Sequence, residues 1–111
     1  MAAIFPPVIR GGGEWGAPIS TNATGGVITV YGAGFYEVDG PAASHDVNTI
    51  SGLAEGDEIV IKIANNSRVI VLKHGTDNIY IGSDITLNNV NDRFRGIYDA
   101  SGNVVEASSR P

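Results

Sequence analysis

Ser44-His45-Asp46 gathers the three residue types of a hydrolytic triad, and it is the first place in this chain to look for chemistry. A triad works because the base sits in space between the nucleophile and the acid that orients it. Three consecutive side chains on a loop cannot take up those places, so Asp46 is expected to make a local turn hydrogen bond instead. The run Gly11-Gly12-Gly13-Glu14-Trp15-Gly16 resembles a phosphate loop in composition. It lacks the Lys-Ser/Thr that would hold phosphate and magnesium, opens no helix, and puts Glu14 where an anion would sit, so it reads as a hinge. His45 and His74 have no second histidine at ligand spacing, and a zinc site would need carboxylates from distant loops. Asp57, Asp77, Asp84, Asp92 and Asp99 all fall at turns, where Asp caps the backbone, and no Asp-x-Asp-x-Asp-Gly phrase marks a calcium loop. Nothing selects a glycosidase pair from the twelve Asp and Glu. The expectation is a protein that is not an enzyme, with no catalytic residue, cofactor or metal.

The elements that would carry any site are short strands. The chain has 111 residues, room for one small core. It contains 13 Ile and 11 Val against 3 Leu, and β-branched residues favour strands. There is no cysteine, which removes disulfides, thiolate-bound metals and thiol catalysis together. A net charge of −5 argues against nucleic acid or an anionic membrane as partner. The opening Met1-Ala2-Ala3-Ile4-Phe5 is cut short by Pro6-Pro7 and is too brief for a signal-peptide apolar region or a membrane span, so a soluble protein made inside a cell is expected. Without a secretory signal, the Asn22-Ala23-Thr24 and Asn65-Asn66-Ser67 triplets are not read as glycosylation sites.

Residues 1–26 carry three Pro and six Gly, which leaves no room for a helix and little for a central strand. They also carry Ile4, Phe5, Val8, Ile9, Trp15 and Ile19, which a solvated tail has no reason to hold. The segment reads as an extended arm, folded back on its own body or docked on another subunit. Residues 27–108 read as the β-domain and 109–111 as a tail. Within the β-domain, Val27-Ile28-Thr29-Val30-Tyr31 and Phe35-Tyr36-Glu37-Val38-Asp39 are strands, and residues 42–48 a loop. Ile59, Ile61 and Ile63 share one face at period two, and with Asn65-Asn66-Ser67 and Arg68-Val69-Ile70-Val71-Leu72-Lys73 they predict a β-hairpin. Short strands follow at Asn78-Ile79-Tyr80-Ile81 and Asp84-Ile85-Thr86-Leu87, then a final hairpin around Asp99-Ala100-Ser101-Gly102-Asn103. The fold class expected is all-β: a single small antiparallel β-sandwich or barrel-like domain with an extended N-terminal arm. The recurring Asn-Ile-x-Ile and Asp-Ile-x-Leu phrases leave a parallel β-helix turn as a second architecture.

The phrases Thr49-Ile50-Ser51-Gly52-Leu53-Ala54-Glu55-Gly56-Asp57-Glu58-Ile59, Val69-Ile70-Val71-Leu72-Lys73-His74-Gly75, Asn78-Ile79-Tyr80-Ile81, Asp84-Ile85-Thr86-Leu87 and Ile97-Tyr98-Asp99-Ala100-Ser101-Gly102 set a strand-and-turn cadence over a little more than half the chain. That cadence resembles the structural β-modules of tailed-bacteriophage virions, found in fibre, spike and capsid-decoration proteins. The resemblance implies a homotrimer. With no heptads and no collagen-like triplets to build a shaft, it points to a capsid decoration, or cement, protein that binds the major capsid protein and stabilises the head. On that reading the protein sits on the capsid surface of the virion after synthesis in the host cytoplasm. Ile4, Phe5, Val8, Ile9 and Trp15 would then be the capsid or inter-subunit anchors of the arm. The alternative from the same resemblance is a receptor- or carbohydrate-binding module of a tail fibre or spike. Val104-Val105 stands where such modules often carry an aromatic after the final turn.

Overall fold

A computed structural model describes residues 17–40 and 42–107. Among them are eleven strands and no helix: β1 (Ile19–Thr24), β2 (Val27–Thr29), β3 (Gly34–Asp39), β4 (Ser44–Val47), β5 (Thr49–Ser51), β6 (Glu58–Ile63), β7 (Val69–Leu72), β8 (Ile79–Tyr80), β9 (Ile85–Leu87), β10 (Phe94–Tyr98) and β11 (Val104–Glu106). The chain is therefore all-β, as its excess of β-branched residues implies.

The sheets are mixed rather than purely antiparallel. Five strand pairings, β1–β3, β3–β6, β2–β5, β4–β7 and β8–β11, are parallel, and four are antiparallel. Gly34 lies beside Ile59 in one ladder and Ser44 beside Val69 in another, an offset of 25 residues in both. Two successive coils of a short solenoid therefore stack strand on strand, though the Asn-Ile-x-Ile and Asp-Ile-x-Leu phrases that suggest a β-helix turn lie on β8 and β9, which belong to different sheets. Inward positions match across the coils, Tyr36 on Ile61, Val38 on Ile63 and Val47 on Leu72, while the outward ones share nothing that would register as a repeat.

The hairpin expected over residues 58–73 does not form. β6 pairs with β3 and β10, whereas β7 pairs with β4 and β9 in a separate three-stranded sheet. Asn65 Oδ1 accepts from Ser67 N–H at 2.8 Å, and the Asn65 carbonyl accepts from Arg68 N–H at 3.1 Å. This tight turn carries the chain around a corner of the solenoid instead of reversing it. β4, in the segment read as a loop, is a strand because β7 supplies its ladder. The sheet also begins earlier than the arm boundary suggests: residues 19–24 form β1, and Gly25 and Gly26, at φ 61° and 82°, make the two-residue turn that returns the chain into β2. Non-glycine residues adopt that pair of dihedrals at a cost, so the glycines that argue against regular structure here make it.

The eight-stranded sheet runs β5-β2-β1-β3-β6-β10-β11-β8, and Asn78 brings its two end strands together. Ile50 N–H donates to Asn78 Oδ1 at 3.0 Å and Asn78 Nδ2 donates to the Ile50 carbonyl at 2.8 Å, so the amide completes the ladder like one more peptide unit. One core fills the space enclosed. It joins Tyr36, Val38, Ile59, Ile61, Ile63 and Phe94 to Ile28, Ile50, Ile79 and Val104, and to Val47, Ile70, Leu72 and Leu87 of the three-stranded sheet. Each fully buried aliphatic stabilises the fold by about 1.5–3 kcal/mol. Gly96 lies buried beside Phe94, and only glycine fits there without a shift because a Cβ would stand 2.8 Å from the Phe94 ring.

Candidate interaction surface

Most residues singled out for chemistry are held in structural roles, but Asp46 lies on a strand, and among the described residues its side chain makes no turn hydrogen bond of the kind expected. Ser44 and Asp46 are exposed on one side of β4 and His45 turns to the other, as alternation along a strand requires. The Nε2 of His45 lies 3.1 Å from the Ala42 carbonyl, in a space that Gly40 leaves for the ring. No triad forms. Asp57 accepts from Ala54 N–H, Asp92 from Asn88 N–H, and Asp99 from both Ser101 and Asn103 N–H, the capping roles expected of aspartates at turns. Asp77 instead accepts from the Thr49 hydroxyl, beside the Asn78 closure. His74 Nδ1 accepts from the N–H groups of Ile81 and Gly82 at 3.0 and 3.1 Å, so its ring proton belongs on Nε2. Among the described residues, no group of three His, Asp or Glu is placed to hold a metal, and no helix is long and apolar enough to cross a membrane. The glycine run at 11–16 and the proposed anchors Ile4, Phe5, Val8, Ile9 and Trp15 lie outside the described residues.

Two features of the surface remain. One is the end of the solenoid where the chain enters. Residues 19–22 of β1 pair with β3, but only Ala23 and Thr24 pair with β2, so the two strands part and, among the described residues, the first half of β1 keeps a free edge. Thr21 Oγ1 donates to the Thr29 carbonyl across the fork. A shallow groove of about 320 Å³ follows it, lined by Ser20, Asn22, Thr24, Thr29 and Tyr31 among others. Tyr31 is 75% exposed and Ile19, at the same end, 47%.

The other feature is the outer face of the large sheet. Register places Glu58 beside Ile97, Ile97 beside Val105, and Val105 beside Tyr80, one row across four strands. Ile97 is 36% and Tyr80 45% exposed. The next row sets Phe35 beside Val60 and Val60 beside Arg95. Arg95 pairs with Glu58 at 2.8 Å and Lys62 with Glu37 at 3.7 Å, while the Arg93 guanidinium lies 5.4 Å from the centre of the Phe35 ring. Arg93 has no carboxylate partner among the described residues.

Flanking ion pairs perturb their members. The Gly40 N–H and then the Arg68 guanidinium, 2.7 Å away, hold Asp39 below the usual carboxylate range. Lys73, at 2.9 Å, and the His74 N–H do the same for Asp84, and Asp84 in turn raises Lys73. These pairs pin corners of the solenoid and are half in solvent, the setting of structural ion pairs rather than of an acid–base site.

The sequence points to neither surface. Tyr80, Ile97 and Val105 lie on three separate strands, and only the pairing of β10, β11 and β8 makes them neighbours. Comparison with known protein families, curated proteins and solved structures finds nothing that matches this chain.

Proposed function

We propose that this chain is a non-enzymatic structural protein of a phage virion, a capsid decoration protein that binds the major capsid protein and stabilises the head as a homotrimer. The resemblance of its strand-and-turn phrases to virion β-modules supports the reading, and one observation carries it. Among the described residues, the body leaves a free strand edge and exposed Ile19 and Tyr31 at the point where an apolar, Pro/Gly-rich segment joins it. A free edge invites pairing with another chain, and proteins ordinarily cover or blunt it. The segment's Ile4, Phe5, Val8, Ile9 and Trp15 are the proposed anchors on the capsid.

The test is copy number in purified particles together with rebinding of a truncated protein. Hundreds of copies per particle are expected. Removing residues 1–16 spares β1, and should abolish rebinding to stripped particles while the β-sheet circular dichroism persists. Full rebinding by the truncated protein would refute the role of the arm, and absence of the protein from particles would refute the virion reading. The tail-fibre reading draws on the groove beside Tyr31, where hydroxyl and amide side chains flank an exposed aromatic ring. It predicts tens of copies or fewer and binding of the isolated protein to host glycans.

A further inference from the structure

The geometry points to the outer face of β6, β10, β11 and β8, centred on Ile97, Val105 and Tyr80, as the surface through which one copy of this chain docks on another. The inference deepens the proposed assembly and rests on its self-association, not on the capsid as partner.

Consecutive strands register Ile97, Val105 and Tyr80 side by side, so their side chains form one continuous apolar strip rather than scattered exposed groups. Half-buried Val60 and Phe35 widen it, and Arg95 and Arg93 stand among them. Aromatic, aliphatic and Arg side chains packed together with few free carboxylates are the composition of an interface centre.

Charge selects the occupant. Glu37 and Glu58 against Lys62, Arg93 and Arg95 leave this face at +1. The other described residues hold Arg68 and Lys73 against nine Asp and Glu (39, 46, 55, 57, 77, 84, 92, 99 and 106), or −7. Outside the patch, the described residues of a second copy therefore offer a net acidic surface. Two like patches meeting about a two-fold axis would each bring a net positive charge to the contact, whereas patch against acidic flank complements. Such a contact is heterologous, and heterologous contacts run on as open filaments unless their rotation closes them into a ring. A symmetric trimer is one such ring.

The experiment measures the mass of the full-length protein in solution by sedimentation equilibrium, for the wild type and for Ile97→Lys, Tyr80→Lys and Arg93→Glu. The wild type should self-associate, and each substitution should weaken association at least about tenfold. Tyr31→Lys, at the other exposed aromatic, should leave it unchanged. Circular dichroism checks that each variant is folded. Arg93 is exposed and outside the core, so Arg93→Glu keeps the test decisive should Ile97→Lys unfold. A wild-type oligomer untouched by all three substitutions overturns the face while leaving the decoration reading intact. A monomeric wild type overturns the face as well, and particle copy number then decides separately whether the chain decorates a capsid.

Discussion

Asn78 is the residue whose loss should reveal how the sheet is held shut. Its amide exchanges two hydrogen bonds with the backbone of Ile50, at 3.0 and 2.8 Å, in a half-buried site between strands β5 and β8 that no other ladder joins. In Asn78→Ala both Ile50 groups lose their partner. Each intramolecular hydrogen bond contributes about 0.5–1.5 kcal/mol net, and a group left unpaired while partly buried costs about 1–3 kcal/mol, so the variant should lose about 2–4 kcal/mol. For a body of this size that is a fall in Tm of about 4–8 °C per kcal/mol. Urea unfolding measures the loss, and hydrogen exchange at the Ile50 amide locates it. Asn78→Asp sharpens the reasoning. One oxygen still accepts from Ile50 N–H, but the other faces the Ile50 carbonyl, and burial there disfavours the charged form. The new carboxyl therefore has a raised folded pKa, its destabilisation is full above that value, and stability returns as pH falls and the group can donate to the carbonyl. An Asn78→Ala variant within about 0.5 kcal/mol of wild type, with Ile50 exchange unchanged, would refute closure by this side chain.

Gly96→Ala should cost about 1–3 kcal/mol by overpacking, because its Cβ would meet the Phe94 ring at 2.8 Å and Val104 Cγ1 at 3.0 Å; thermal melts check it, and a neutral change would mean that Phe94 swings aside freely. The Lys73–Asp84 pair gives a pH dependence: Asp84 is depressed, so its contribution is present above the ordinary carboxylate pKa and lost as pH falls through the folded value, whereas the raised Lys73 contributes below the ordinary lysine pKa and fades as pH rises through its folded value. Asp84→Asn should therefore be less stable than wild type at neutral pH, with the gap closing in acid; urea titrations at several pH values would show an unchanging gap if the reasoning is wrong. Imidazole nitrogen spectra should find the neutral ring of His74 protonated on Nε2, since Nδ1 accepts from two backbone N–H groups; a proton on Nδ1 would overturn that arrangement of residues 81 and 82.

Residues 59, 61 and 63 declare their inward face by alternation alone, and all three are buried. The hairpin at residues 99–103 is equally legible, because its turn chemistry and its strand pairing are local and agree. Asn65-Asn66-Ser67 shows where local reading stops. A tight turn states that the chain changes direction, but whether the next strand pairs with the last one depends on β3 and β4, 25 positions upstream. Parallel stacking is invisible at the turn itself. β1 and β4 are hidden for a related reason: Pro18, Ser20, Asn22 and the glycines after β1 mask the preference of Ile19, Thr21 and Thr24, Ser-His-Asp in β4 carries little of its own, and their partners' ladders hold both extended. The interaction surfaces were least legible of all, since each is assembled from strands distant in sequence.

The two ends of the solenoid are finished differently. At one end β9 and β10 run antiparallel to the last coil, and β11 returns to join β8, so the final strands turn back upon the stack. At the other, β1 and β2 pair only through Ala23 with Ile28 and Thr24 with Val27, and among the described residues the fork between residues 19–22 and Thr29 is spanned by the Thr21 side chain alone. A stack that leaves one end open keeps unpaired backbone where a further strand could add. That end is also where the chain arrives from residues 1–16, whereas the apolar row of Ile97, Val105 and Tyr80 lies on strands of the finished end. Strand edge and sheet face offer different contacts, main-chain hydrogen bonds in one case and desolvated side chains in the other. The proposed capsid attachment through the first and the proposed copy-to-copy contact through the second can therefore be tested separately by substitution, a division that a single patch serving both roles would forbid.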